Sequence, residues 1–145
     1  MEPLKTRIAT LLQERREHYI QVCEHLIAMA PPETVRDHTA DAARQMTDGL
    51  LHLHIEALEE RGRDVRSMYI DTLIPPLIAN GATMRGIVGG AVHLCFIIST
   101  DVTRHLPPES QDAANEWFAS FYANYITELA SAVAKEQFAA GDKKE

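Results

Sequence analysis

Seven histidines and two cysteines are the side chains in this sequence best suited to metal, redox or acid–base chemistry, so their spacing decides which of these is available. His18 and His25 stand two helical turns apart, about 10 Å, too far to share one ion. Asp48, His52 and Glu56 form a row at four-residue steps, able to hold a weak surface metal but more simply read as a solvated polar face. His54 points to another side of the same segment. His38 falls near a helix start and His105 near a helix end, where a cation suits the negative pole of the helix dipole. His93 differs, because Leu94, Cys95 and Phe96 surround it. It reads as buried, either as a satisfied core histidine or as a pH-sensing or haem-binding one. Cys23 and Cys95 each lie in an apolar stretch and read as buried thiols in a reducing compartment, not as a disulfide.

The usual motifs of hydrolases, di-iron proteins and nucleotide-binding proteins are missing: there is no HExxH, paired ExxH, CxxC, P-loop or GxSxG. Ser67, Ser99, Ser110, Ser120 and Ser131 stand in no nucleophile-elbow pattern. The sequence therefore assigns no catalytic residue, no metal ligand and no cofactor, and points away from an enzyme. With 21 acidic against 14 basic residues, the latter scattered, it lacks the concentrated positive potential of a nucleic-acid surface. The longest apolar run, Ile87 to Ile98, is shorter than the roughly 20 residues a bilayer requires, and no secretory signal follows Met1. A cytoplasmic protein with no membrane or nucleic-acid partner is the expectation.

These side chains must be positioned by helices. Apolar residues recur at three- and four-residue steps, and strand-like alternation is absent, so the fold class expected is all-α. At 145 residues the chain suits a single domain, here residues 1–140, followed by a charged tail over 141–145. Glycine and proline divide it into about five helices. The first runs from Leu4 to Met29, with Glu14, Arg15, Arg16 and Glu17 outside, and Pro31 and Pro32 end it. The second is capped by Thr34, with Asp37 in its first turn, and Gly62 stops it. The third opens at Asp64 and is expected to kink or break at Pro75 and Pro76, closing at Asn80 and Gly81. Thr83 caps a fourth that reaches Arg104 or His105, and Pro107 and Pro108 launch a fifth that runs to Ala139.

Two features suggest packing partners. Gly86, Gly89 and Gly90 fall in the first turns of the fourth helix, each costing roughly 1 kcal/mol relative to alanine, which predicts close approach of another helix. The fifth helix holds six of the nine aromatic residues. Trp117, Phe118, Phe121, Tyr122, Tyr125, Leu129 and Val133 cover more than one core-facing stripe normally uses, which predicts a homodimer interface, the alternative being that the wide face covers a broad core of its own subunit.

The string LQERR, Leu12 to Arg16, and the block from Ile78 to Leu106 resemble the N-terminal sensory domain of RsbR-type bacterial stress regulators. In that family a charged first helix leads to a glycine-containing turn and a long apolar helix. The resemblance implies a globin-like helical bundle without haem and a homodimer formed by the later helices. It also implies a following STAS domain on a helical linker, with STAS-domain scaffold proteins and a switch kinase as partners in a stressosome. In a globin-like order the third segment would have to carry a proximal histidine, and residues 64 to 80 contain none. The alternative is a sensor that holds haem or another apolar ligand through His93 or a histidine of the second helix.

Overall fold

The computed structural model describes residues 2–29, 40–59, 62–79 and 81–143. Among them the chain is all-helical, with six helices: α1 (Glu2–Glu14), α2 (Arg16–Met29), α3 (Ala40–Leu58), α4 (Gly62–Ala79), α5 (Met84–Arg104) and α6 (Pro108–Lys143). The expected first helix is thus two, interrupted at Arg15. The ladder still crosses the interruption, with Arg15 N–H donating to Leu11 O at 3.0 Å and Tyr19 N–H to Arg15 O at 3.1 Å. The interrupting residue is the one whose guanidinium reaches α5, described below.

Three further boundaries differ from expectation. Gly62 begins α4 instead of ending α3, so Asp64 lies inside the helix that it was expected to cap. The helix α4 does not break at Pro75 and Pro76 but runs through both. The carbonyls that lose a donor there belong to Asp71 and Thr72, which are exposed, so water can satisfy them. At the other end, α6 continues to Lys143, so most of the charged tail is helical. Pro31, Pro32, Thr34, Asp37, His38 and Asn80 lie outside the described residues.

The α5 entry follows the local chemistry closely. Gly81 adopts φ 92°, a left-handed turn that glycine tolerates. Thr83 Oγ1 then accepts from Gly86 N–H at 3.1 Å, satisfying one of the free amides of the first turn. At the far end His105 caps the helix, its Nδ1–H donating to Asp101 O at 2.7 Å. By length and composition α5, at 21 residues, is the one helix among those described that could cross a membrane. Its apolar run alone is short, but mild flanking residues extend it. In this fold Leu94, Cys95, Ile98 and Val102 are core residues.

The core is one continuous cluster. The α2 helix packs on α3, α5 on α6, and α4 against both α3 and α6, while α1 lies across α3 and α5. Ile8, Leu12, Tyr19, Leu53, Ile70, Ile98, Leu129 and Val133 are almost wholly removed from water. Burying each side chain of that size is worth about 1.5–3 kcal/mol.

Candidate functional site

The aromatic face of α6 proves to be core, and that corrects the dimer-interface assignment. Phe118, Phe121, Tyr125, Leu129 and Val133 are buried within one subunit, and Trp117 and Tyr122 pack against the same cluster. Trp117 stacks on Phe121 at 5.4 Å between centroids, and Phe121 on Tyr125 at 6.0 Å. What needs so many rings is a histidine of α3. His54 is 0% exposed, and its ring lies 4.8 Å from that of Phe121 and 5.4 Å from that of Tyr122.

His54 is fixed at both nitrogens. Nδ1 stands 2.7 Å from Leu50 O, which can only accept, so Nδ1 carries the proton. Nε2, 2.8 Å from Tyr122 Oη, is then the acceptor and the phenol the donor. Burial drives the His54 pKa down to about 4, against a small upward pull from the Leu50 carbonyl, so the ring is neutral at physiological pH. The sequence pointed to His93 as the buried histidine, but His93 is exposed. Position 54 carried a signal nonetheless, because it shares a face with Leu50, Leu53 and Leu58, all buried.

Arg15 and Arg16 are likewise not simply solvated. Arg15 forks onto Asp101, with Nε donating to Oδ2 and an Nη to Oδ1 at 2.9 Å, and Tyr19 Oη donates to the same carboxylate at 2.6 Å. Burial pushes the Asp101 carboxyl up, but hydrogen bonds from Arg15 and Tyr19 outweigh it and hold the pKa below its ordinary value. Arg16 pairs with Asp48 at 2.6 and 2.8 Å, and Arg44 with Glu17 at 2.9 Å, tying α2 to α3. Asp48 is therefore engaged, His52 reaches only Glu56 at 3.9 Å, and no group of three potential metal ligands occurs among the described residues.

These helices leave room where α2, α3, α4, α5 and α6 converge. A cavity of about 120 Å³ opens there, partly accessible from outside. Leu26 and Ile27 line it from α2, Met46 and Leu50 from α3, Leu73 and Leu77 from α4, and Leu129 from α6. Among the described residues, no charged residue and no histidine contributes to its wall. The polar side chains in the wall are Cys23, Tyr69 and Tyr125. Burial pushes the Cys23 thiol up, raises Tyr69 to about 12 and holds Tyr125 well above its ordinary value. All three are thus neutral near pH 7, so none of them offers a thiolate nucleophile or a general base.

Gly86 and Gly90 belong to the same wall. This corrects the close-packing assignment at Gly89 and Gly90, where an added Cβ would meet nothing within 4 Å. A glycine that does serve a close contact is Gly49 in α3, a position with no distinguishing mark in the sequence. A Cβ there would stand 2.5 Å from Tyr69 Cε2. Gly49→Ala should therefore destabilise the protein by about 1 kcal/mol, reversing the usual helical gain of a similar size. Urea unfolding reads the sign, and a stabilised variant would show that the Tyr69 ring is not held there. Beside the cavity, Thr47 Oγ1 is buried with no hydrogen-bond partner. Its neighbour is the Cys23 thiol, a weak one. Cys23 and Cys95 are both buried free thiols, as their apolar settings predict.

Against known proteins the chain finds no counterpart: no family model, no curated protein and no solved structure matches it.

Proposed function

We propose that this chain is a non-enzymatic, cytoplasmic sensory domain in which the state of the apolar cavity sets the packing of α5 and α6. The observation that carries this reading is the cavity itself, a space with no charged group among its described lining residues, at the junction of five helices beside the core. Interiors are normally close-packed, and a void forfeits dispersion contacts all round its wall, so it persists at a cost in stability. A space placed between the two longest helices is where a small change of occupancy moves the most structure. The RsbR-type resemblance supports the same reading, with a globin-like bundle acting as a homodimer ahead of a STAS-like domain and a switch kinase. The α6 rings being buried, a second copy would seat on apolar residues left outside, such as Phe96 at 67% and Phe138 at 73% exposure.

The haem alternative finds no support at this cavity. Its wall holds no histidine among the described residues, His54 has both nitrogens engaged, and about 120 Å³ is far below the roughly 300–1,000 Å³ of drug-sized ligand pockets.

Transmission can be tested without knowing the cue. Ala91→Leu adds bulk to the cavity wall on α5 and should change amide exchange in α6 beyond Leu129 by roughly fivefold. Exchange altered only around residues 86–95, with α6 unaffected, would remove the sensory reading.

A further inference from the structure

The row Gly86, Gly90, Leu94, Ile98 follows one side of α5 at four-residue steps. Its C-terminal half does what a core row should, with Leu94 and Ile98 buried. Its N-terminal half leaves out the side chains, and the cavity begins there. The glycines are not explained by backbone geometry, since neither carries a positive φ, nor at Gly90 by a tight neighbour, since a Cβ would find open space. Two helix-weakening residues thus stand where leucine would continue the stripe and close the cavity. Ile87 and Ala91, beside them, also line it, as do Leu73 of α4 and Leu129 of α6.

We infer that this cavity is a binding site for a compact, uncharged apolar molecule of about single-ring size, and that Gly86 and Gly90 leave the room it occupies. Size and chemistry both select that class. At about 120 Å³ the space is slightly smaller than the roughly 150 Å³ engineered cavity that stays dry and takes up benzene or xenon. A charged ligand would meet no counter-ion among the described residues of the wall. Such a molecule would be the cue of the sensory reading, on which its role as a signal rests.

The test titrates benzene, and separately benzoate, into the full chain while following the methyl resonances of Ile87, Leu94 and Leu129. Benzene should give saturable shifts at these methyls and raise the melting temperature, with benzoate at least about tenfold weaker. Gly90→Leu should weaken benzene binding by roughly tenfold or more while raising the melting temperature of the empty protein by about 2–4 °C. Gly89→Ala, off the cavity wall, should give a similar stabilisation and leave binding unchanged. Should Gly90→Leu not fold, Gly90→Ala with the same readouts replaces it, with a smaller loss of binding. Absence of saturable shifts, equal binding of benzoate, or undiminished binding in the filled variant would overturn the assignment. Binding that leaves α6 exchange unchanged would instead overturn the sensory reading and keep the site.

Discussion

Asp101→Ala is expected to destabilise the protein by about 3 kcal/mol, lowering its melting temperature by roughly 6–12 °C. The carboxylate, 11% exposed, is the acceptor for both the Arg15 fork and the Tyr19 hydroxyl, so its loss strands a guanidinium and a buried phenol together. Arg15 keeps 28% of its side chain in contact with water, which places the penalty at the lower end for breaking a buried pair. A double variant, Arg15→Met with Asp101→Leu, should recover more than half of the loss, because it removes both charges and restores apolar contact. Urea unfolding of Arg15→Met, Asp101→Leu and the double variant separates these terms. Additive losses would mean that the pair is not coupled, and the account of the α1–α2 junction would fail. The hub joins the interruption at Arg15 to the last turns of α5, so its loss should also speed amide exchange in both places.

Stability should also fall by about 3 kcal/mol between pH 6.5 and 4 on account of His54 alone. The sign follows from which state binds the proton. Above pH 6.5 the imidazole is neutral in folded and unfolded chains, and its contribution is constant. Below that the unfolded chain takes up a proton that the buried ring, with a pKa near 4, refuses, so unfolding is favoured progressively. Below pH 4 both states are protonated and the term levels off. The carboxyls of Glu17, Asp48 and Asp101, whose pKa values are lowered by their arginine partners, add their losses at the acid end of this range and below it. His54→Gln keeps a side chain able to hydrogen-bond Tyr122 but does not titrate, and should flatten the profile above pH 4.5. An unchanged slope in that variant would assign the acid sensitivity elsewhere. Imidazole nitrogen shifts in the native protein offer an independent check, with Nδ1 protonated and Nε2 not.

Much of the architecture follows from local rules legible in the chain. The three- and four-residue apolar period makes every described element a helix. Thr83 caps α5, Gly81 takes the left-handed turn before it, and Pro108 opens α6, each for reasons confined to a few neighbouring residues. The apolar flanks of Cys23 and Cys95 place both thiols inside.

What the tertiary structure decided is which polar residues meet and which faces remain empty. A helix carries its stripe in sequence, but the stripe does not say what lies opposite. The rings of α6 looked too many for one core because the buried histidine they enclose comes from α3, far away along the chain. Asp101 falls in the stripe of Ile98 and Val102, so its need for a cation was readable, yet that the cation is Arg15 was not. The glycines of α5 were visible as a local weakness. Only the convergence of five helices turned the missing side chains into a cavity, because empty space is a property of how surfaces face one another and no single segment contains it.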